Sequence, residues 1–475
     1  MSANDFSASL MLAGMDYIAP SEACTLPTTL QQSGDGSVRR YSSSNEVVKI
    51  TLQDCLACSG CVTTAEAILV SSQSREEILK ARTADVSRPF LVSISDQSAS
   101  SIAAFLKIET YKVFHILSGF FRTVLQVQYV IDLRWAQLVS VEKTAEEYCR
   151  RMREEKDRLP MIVSACPGWV CYCEKQGAAI LPLLCSVMSP QGIAGCYAKS
   201  HNPHLCHISV QPCFDRKLEA ARDAFSESGE RYTDFVLSTQ EVLDWMLEID
   251  PSLPWDNQLD SDFESFTMPP LQESNRKIAA AMEGSGGYHR FAMYYASREL
   301  HHTELVPDDI HYEMKRNSNY HLATSSCNSG EVYCVAYGFQ NIQNIVRGMK
   351  RKLASVAPYT FIELMACPDG CLNGGGQVRR KDVASTTETI SNVRDAFGNY
   401  LFSQIHERNF KINSEKLHAV GHSNEENKER LCFSLNAFRE LEKSVGASLW
   451  SCVFHDRQKE FETTLNNGGV HSLKW

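Results

Sequence analysis

Short apolar runs alternate with stretches of helical spacing along the middle of the chain. The apolar runs predict buried strands, and they cover residues 89–95, 129–132, 161–164, 207–211, 235–238 and 331–337. The stretches in which apolar residues recur every three or four positions predict helices, and they cover residues 99–113, 142–158 and 342–353. The second of these helices is densely charged, so we expect it to keep one face in water. This alternation is typical of an α/β protein, in which ligands gather beyond the carboxyl ends of the strands.

The two ends of the chain and one internal segment lack this alternation. Residues 1–50 show little regularity, although a short alternating run over 47–52 predicts a strand. Residues 251–275 contain four prolines and many acidic side chains, which predicts an exposed connection. Residues 396–475 have a mixed and mostly helical character.

Composition and charge narrow the class of protein. The chain has 475 residues, of which 43% are hydrophobic and 22% charged, as in ordinary globular proteins of two or three domains. The net charge of −10 argues against a nucleic-acid-binding surface. The longest apolar stretch, residues 178–188, contains Pro182 and is too short to span a membrane. No basic residue precedes Arg39, which argues against a secretory or transit signal, so we expect a cytosolic or nuclear protein.

Eighteen cysteines in such a protein require an explanation. Disulfides are rare in a reducing compartment, so the thiols are expected to pack in the core or to bind metal. Seven cysteines stand alone in apolar or mixed surroundings and are predicted to behave as small hydrophobic residues: Cys149, Cys185, Cys196, Cys206, Cys334, Cys432 and Cys452. For Cys171, Cys173 and Cys327 we also favour packing or an incidental position.

The cysteines Cys55, Cys58 and Cys61 form a C-x2-C-x2-C run near the amino terminus. Zinc sites more often use two C-x2-C pairs joined by a longer loop, whereas three cysteines at two-residue gaps resemble the ferredoxin run that holds a [4Fe–4S] cube. Cys24 is the only cysteine upstream of the run and is a candidate fourth ligand. Three incidental thiols on a turn remain the alternative.

A second group of cysteines follows predicted strands. Cys166 and Cys213 each come directly after an apolar run, and Cys367 and Cys371 lie four positions apart on a turn that leads into the glycines 374–376. Glycines allow close approach of the backbone to a bulky group, and their N–H groups can point at an anion. A glycine-rich turn with two buried thiols is the alternative. The irregularly spaced histidines His201, His204 and His207 favour surface positions over a zinc site.

Three segments around these cysteines together resemble the three signature segments of iron-only ([FeFe]) hydrogenases, in the same order. Their residue ranges and sequences are 164–169 (SACPGW), 211–219 (QPCFDRKLE) and 365–377 (MACPDGCLNGGGQ). The resemblance covers residues 90–400 approximately. The C-x2-C-x2-C run with a distant upstream cysteine is similar to the eukaryotic hydrogenase-like branch, which comprises cytosolic iron–sulfur assembly factors and prelamin A recognition factors.

The resemblance implies a fold, a domain division and a set of ligands. The expected fold is α/β and two-lobed, with a small iron–sulfur domain over residues 1–88, a hydrogenase-like domain over 89–395 and a helical tail over 396–475. Two [4Fe–4S] clusters are implied. Their ligands would be Cys24, Cys55, Cys58 and Cys61 for the first cluster, and Cys166, Cys213, Cys367 and Cys371 for the second, which would lie between the lobes.

The resemblance also implies a role in maturing cytosolic and nuclear iron–sulfur proteins without enzyme activity. The expected partners are early scaffold proteins, a late targeting complex with a WD40-repeat component, and apoprotein clients, but neither nucleic acid nor membrane. Hydrogen chemistry is disfavoured because Ala165 stands where hydrogenases carry a proton-relaying cysteine. Arg216, beside Lys217, aligns with a lysine of hydrogenases, and this position is less decisive. A prelamin-binding protein and a simple electron carrier remain alternatives. The last three residues, which end in Trp475, resemble a short carboxyl-terminal tripeptide by which clients and adaptors dock on the targeting complex.

Overall fold

The structure is a computed structural model. It describes residues 72–222, 225–227, 230–260, 287–306, 309–379, 391–396, 431, 433–457 and 459, together with two short strands near the amino terminus. These two strands, β1 (Gln31–Gln32) and β2 (Val38–Arg39), pair in antiparallel fashion. The strand predicted over residues 47–52 lies outside the described residues.

Four parallel strands form the first sheet, in the order β4–β3–β6–β9. They are β3 (Phe90–Ile94), β4 (Tyr129–Asp132), β6 (Cys206–Gln211) and β9 (Phe235–Ser238). Alternate side chains of β3 enter two different hydrophobic cores, because Phe90 and Val92 pack on one face of the sheet and Leu91 on the other. Parallel sheets are normally covered on both faces in this way, which explains the continuous apolar runs in the sequence.

A mixed sheet of five strands forms the second lobe, in the order β10–β11–β12–β13–β5. They are β5 (Met161–Val163), β10 (Ile310–Asn317), β11 (Tyr320–Ser325), β12 (Tyr333–Tyr337) and β13 (Phe361–Met365). The strands β12, β13 and β5 run parallel, whereas β10 and β11 form an antiparallel hairpin at the edge. A third, two-stranded sheet pairs β7 (Ser226–Glu227) with β8 (Glu230–Arg231).

Helices of the described residues cover the two larger sheets. They are α1 (Arg75–Ala84), α2 (Asp96–Leu106), α3 (Thr110–Leu125), α4 (Arg134–Glu154), α5 (Pro167–Gln176), α6 (Pro190–His201), α7 (Asp215–Ala220), α8 (Thr239–Ile249), α9 (Tyr288–Glu299), α10 (Phe339–Lys350) and α11 (Leu435–Val445). Helices α2, α3 and α8 pack on one face of the first sheet. Helices α4, α6 and α9 contribute to the larger core, which reaches the second sheet. None of the described helices is both long enough and apolar enough to cross a membrane.

The single helix predicted over residues 99–113 is wrong. The structure has two helices there, because Lys107 adopts a left-handed conformation with φ 56° and donates its N–H to Ala103 O, which ends α2. Helix α3 then begins at Thr110. The apolar spacing continues across the break, so the sequence pattern alone conceals it.

The helix predicted over residues 142–158 begins earlier and is more buried than its charge suggested. Helix α4 starts at Arg134, and its residue Arg151 has no exposed surface. The guanidinium of Arg151 donates hydrogen bonds to Leu183 O at 2.8 Å and Leu184 O at 2.6 Å, and it pairs with Glu147. Buried charges are tolerated when they are paired and hydrogen-bonded in this way. The expected solvated face is therefore partly a core face.

The carboxyl-terminal tail contributes α11, which packs on α4. Phe438 of α11 is fully buried, with its ring centroid 5.9 Å from that of Trp135. Arg439 donates to both carboxylate oxygens of Glu142 at 3.0 Å. On the amino-terminal side of the first sheet, Ile78 of α1 is buried in the core that covers one face of that sheet. The proposed domain boundaries at residues 88 and 395 stay predictions.

Candidate metal centre

Four cysteines lie just beyond the carboxyl ends of three parallel strands. Cys166 follows β5 and caps the amino terminus of α5, and Cys213 follows β6 and precedes α7. Cys367 follows β13, and Cys371 lies on the 3-10 turn Gly370–Asn373. Strands β5 and β13 are neighbours in the second sheet, whereas β6 belongs to the first. The cysteines therefore come from both sheets.

The first and third of these segments are joined directly. Val163 and Glu363 are paired in the parallel register of β5 and β13, so the two strands end side by side. The backbone N–H of Ala366 donates to the sulfur of Cys166 at 3.4 Å. Ser164 donates its hydroxyl to Leu364 O and accepts from the N–H of Cys166 at 3.0 Å. Hydrogen bonds to a ligand sulfur help to set the properties of a metal centre.

The second and third segments are joined through the glycine-rich turn. The N–H of Gly376 donates to Pro212 O at 2.8 Å, and the N–H of Gly374 donates to Cys371 O at 3.0 Å. A Cβ on Gly374 would lie only 2.2 Å from Pro212 O. The glycines thus allow the turn to lie against the residues before Cys213. Two of their N–H groups bind backbone carbonyls, where the sequence suggested contacts with an anion.

Gln377 fixes the end of this turn, a role that sequence reasoning missed. Its side chain is 2% exposed, accepts a hydrogen bond from Thr239 at 2.8 Å and donates to Gln97 O at 3.0 Å and Cys371 O at 3.4 Å. These contacts connect the Cys371 turn to α2 and α8 of the first lobe. The position of Gln377 at the end of the GGGQ sequence is the only signal that could have indicated it.

The thiols lie close enough together to interact electrostatically. Burial raises the pKa of Cys166 to about 12, with further contributions from Asp215 and Cys371. Cys213 retains a little exposed surface, but desolvation raises its pKa well above the ordinary value, and Asp215, Cys367 and Cys371 act on it as well. Such thiols stay protonated by themselves. Binding of iron would therefore have to displace their protons.

Two neighbouring cations after Cys213 take different positions. Arg216 is 6% exposed, donates to Glu219 at 2.6 Å and interacts electrostatically with Cys213 and Cys371. Lys217 is also buried, but its Nζ donates to Gln73 O at 2.9 Å and Glu241 at 2.7 Å. The structure therefore assigns the cation beside the thiols to Arg216.

The chemistry of the predicted donors is that of an iron–sulfur cluster. Within the part of the chain that the structure describes, no group of three or more His, Cys, Asp or Glu side chains could hold one metal ion. A [4Fe–4S] cube needs its four thiolates apart, one at each iron. Four thiols from three rigid segments, without imidazole or carboxylate donors among the predicted ligands, are the set that such a cube requires.

The other predicted site residues have different outcomes. Cys24, Cys55, Cys58 and Cys61 lie outside the described residues, as does Trp475. The five single cysteines Cys149, Cys185, Cys196, Cys206 and Cys334 are buried, as predicted, and so is Cys173, whereas Cys171, Cys327 and Cys452 are partly exposed. Cys432 is not among the described residues.

The expectation that three histidines lie at the surface is wrong for one of them. His201 and His204 are exposed, but His207 has no exposed surface. It lies in β6, where its Nδ1 donates to Tyr232 O at 3.0 Å and its Nε2 accepts from Ser93 at 2.8 Å. It belongs to the core of the first lobe and not to a zinc site.

Comparison with known proteins identifies the family. Residues 88–375 match the family described as "Iron only hydrogenase large subunit, C-terminal domain". The chain belongs to the iron-only hydrogenase large-subunit family. The matched range includes Cys166, Cys213, Cys367 and Cys371, and it ends within the glycine-rich turn.

Curated relatives of this family match most of the chain. The "Cytosolic iron-sulfur assembly component 3" of Rattus norvegicus is 36% identical over 426 residues, which are 80% of this chain and 86% of the relative. The "Cytosolic Fe-S cluster assembly factor narfl" of Xenopus tropicalis is also 36% identical, over 83% of this chain and 89% of the relative.

Solved structures of the family confirm the predicted fold. A variant of the [FeFe]-hydrogenase HydA1 from Chlamydomonas reinhardtii aligns with a TM-score of 0.57 at 20% identity, over 81% of this chain and 99% of that chain. The structure described as "Stepwise [FeFe]-hydrogenase H-cluster assembly revealed in the structure of HydA(deltaEFG)" aligns with a TM-score of 0.57 over 83% of this chain. The α/β, hydrogenase-like fold expected from the sequence is therefore shown.

Proposed function

We propose that this protein is a component of the cytosolic iron–sulfur protein assembly machinery. The observation that supports the proposal is that Cys166, Cys213 and Cys367 each follow a strand, β5, β6 and β13, and that Cys371 lies on the turn after Cys367. Relatives that match four fifths of the chain are named as cytosolic iron–sulfur assembly components, which supports the same role here.

Cys166, Cys213, Cys367 and Cys371 would hold the second [4Fe–4S] cluster, which would supply one-electron redox chemistry when bound. The turn with Gly374 and Gly376 holds Cys371 against the Cys213 loop, and the Ala366 N–H fixes the Cys166 sulfur. These contacts favour a cluster that stays in place. The first cluster, on Cys24, Cys55, Cys58 and Cys61, would lie in the amino-terminal segment, where it would suit exchange or electron entry.

The role is proposed to be non-catalytic. Ala165, beside Cys166, carries a methyl group that cannot transfer a proton, whereas a hydrogenase needs a proton donor at its reacting metal. Arg216, the cation beside the thiols, is held in an ion pair with Glu219. We therefore expect no hydrogen evolution from the purified protein.

The proposed partners are early scaffold proteins, apoprotein clients and a late targeting complex with a WD40-repeat component. The proposed location is the cytoplasm, and the nucleus is proposed as a further site of action. The relatives' names, which include the word "cytosolic", support the first location. The proposal includes neither a nucleic acid nor a membrane among the partners.

Depletion of the protein in cells tests this proposal. The activity of a cytosolic [4Fe–4S] enzyme should fall several-fold, while a mitochondrial [4Fe–4S] enzyme in the same cells keeps its activity. Re-expression of the wild-type chain should restore the cytosolic activity, and re-expression of a Cys213→Ala variant should not. Unchanged cytosolic activity after depletion, or full rescue by the variant, would contradict the proposal.

A further inference from the structure

The side chain of Arg216 places a permanent positive charge beside two of the proposed ligands. Arg216 lies three residues after Cys213, in the first turn of α7, and it is 6% exposed. It interacts electrostatically with the thiols of Cys213 and Cys371. Burial alone would lower the pKa of Arg216, but Glu219 and these two thiols raise it above its ordinary value, so the group stays charged.

The surroundings hold this charge in one place. Glu219 accepts a hydrogen bond from Arg216 Nη1 at 2.6 Å and is itself 6% exposed. Gln191, which is 1% exposed, donates to Glu219 and to the backbone oxygen of Arg216, each at 3.2 Å. Two elements therefore fix the ion pair, and little water screens it.

We propose that Arg216 sets the reduction potential of the cluster held by Cys166, Cys213, Cys367 and Cys371, and that Glu219 limits the size of this effect. This inference rests on the proposed binding of a [4Fe–4S] cluster at these cysteines. In this proposal Arg216 acts on the cluster through its charge and does not ligate iron.

The direction of the effect follows from charge. A [4Fe–4S] cube with four thiolates carries a net charge of about −2, and uptake of one electron makes it about −3. A nearby positive charge stabilises the more negative state, so Arg216 raises the potential, and the carboxylate of Glu219 lowers it again. Removing the two charges one at a time should therefore shift the potential in opposite directions. A purely structural ion pair predicts no such opposition.

The test is a redox titration with dithionite as the electron donor, followed by electron paramagnetic resonance. The full-length chain carries Cys58→Ser so that the second cluster is observed alone. Arg216→Gln should decrease the equilibrium constant of the one-electron reduction about tenfold, which is about 59 mV. The reduction potential of Arg216→Lys should stay close to that of the parent chain, and the reduction potential of Glu219→Gln should be higher. Lys217→Gln is the matched control, because Lys217 is a buried cation of the same helix that pairs with Glu241.

The outcomes separate this inference from the proposed function. A parent chain without four irons and four sulfides overturns the cluster itself and with it the role of Arg216. A loaded cluster whose potential is the same in Arg216→Gln and in the parent, or which shifts equally in Lys217→Gln, overturns the inference alone. If Arg216→Gln does not retain the cluster, Glu219→Gln decides: a raised potential supports the inference and an unchanged one contradicts it.

Discussion

The backbone N–H of Ala366 donates a hydrogen bond to the sulfur of Cys166, with 3.4 Å between nitrogen and sulfur. The two residues are 200 positions apart in the chain, and they meet because β5 and β13 pair in parallel. Parallel neighbours end at the same edge of a sheet, so each strand brings its cysteine to that edge. Cys166 and the Cys367 loop are therefore held as one rigid unit.

Substitution of Gly374 should disrupt the metal centre. The Cβ of a Gly374→Ala variant would lie 2.2 Å from Pro212 O, so the turn that carries Cys371 would have to move away from the Cys213 loop. We expect the variant to lose most of the iron of the second cluster, measured as iron per chain after anaerobic reconstitution.

Gly330→Ala is the control for this substitution. Gly330 has a φ of 85°, but its Cβ would meet nothing within 4 Å. The control should lose about 1 kcal/mol of unfolding free energy through backbone strain and keep its iron. Equal iron contents in the two variants would show that the contact with Pro212 does not hold the centre together.

Loss of a single proposed ligand should remove one cluster. Cys166→Ala should reduce the iron content of the protein by about four atoms per chain, because a cube lacks one of its four thiolates. Cys173→Ala is the matched control, since Cys173 is a buried cysteine of the same helix. An iron loss that is the same for both variants would mean that Cys166 has no special role.

His207 should make stability depend on pH. Burial lowers the pKa of His207 to about 4 from its ordinary value of 6.5, with Asp234 and Lys199 as the charged neighbours. The unfolded chain therefore binds a proton at this residue below pH 6.5, whereas the folded chain does so only near pH 4. The contribution of His207 to the free energy of unfolding is fully present above pH 6.5. It decreases as the pH falls through this window, by at most about 3 kcal/mol.

A pair of histidine variants checks this dependence. His207→Gln should flatten the pH profile of the denaturation midpoint between pH 6.5 and 4, and His204→Gln, at an exposed position of the same segment, should leave it unchanged. The idea fails if the wild type and His207→Gln have parallel profiles.

Adjacent arginines of α4 should differ strongly in their contribution to stability. Arg151→Met leaves Glu147 buried without its partner and two backbone oxygens without a donor, which should cost about 3–5 kcal/mol of unfolding free energy. Arg150→Met removes only an exposed ion pair with Glu155, which should cost less than about 1 kcal/mol. Denaturant unfolding measures both values, and similar losses would contradict the assignment of Arg151 to the core.

Much of the fold was predictable because buried parallel strands appear in the sequence as short, continuous apolar runs. Strands β3, β4, β6 and β9 are short and largely apolar, and both ends of all four were predicted to within one residue. Three of the four proposed ligands of the second cluster, Cys166, Cys213 and Cys367, follow short apolar runs that form β5, β6 and β13. Because ligands gather beyond the carboxyl ends of the strands in α/β proteins, the sequence could indicate that these cysteines belong together.

The remaining features depend on contacts that a local pattern does not contain. The left-handed turn at Lys107 interrupts an apolar spacing that continues on both sides. The exposed strand β10 has almost no buried residue, so it lacks an apolar run, and the β10–β11 hairpin was missed. Arg151 and His207 look like surface residues by composition, and only their distant partners explain their burial.

The most direct test of the central claim is the content of iron, acid-labile sulfide and zinc per chain, in protein purified without oxygen. The account predicts about eight irons and eight sulfides, as two [4Fe–4S] clusters require. An excess of about two irons over sulfide would instead favour the di-iron unit of a hydrogenase. Zinc with little iron would contradict the account, because the thiols around Cys166 and Cys371 would then hold single ions and no cluster.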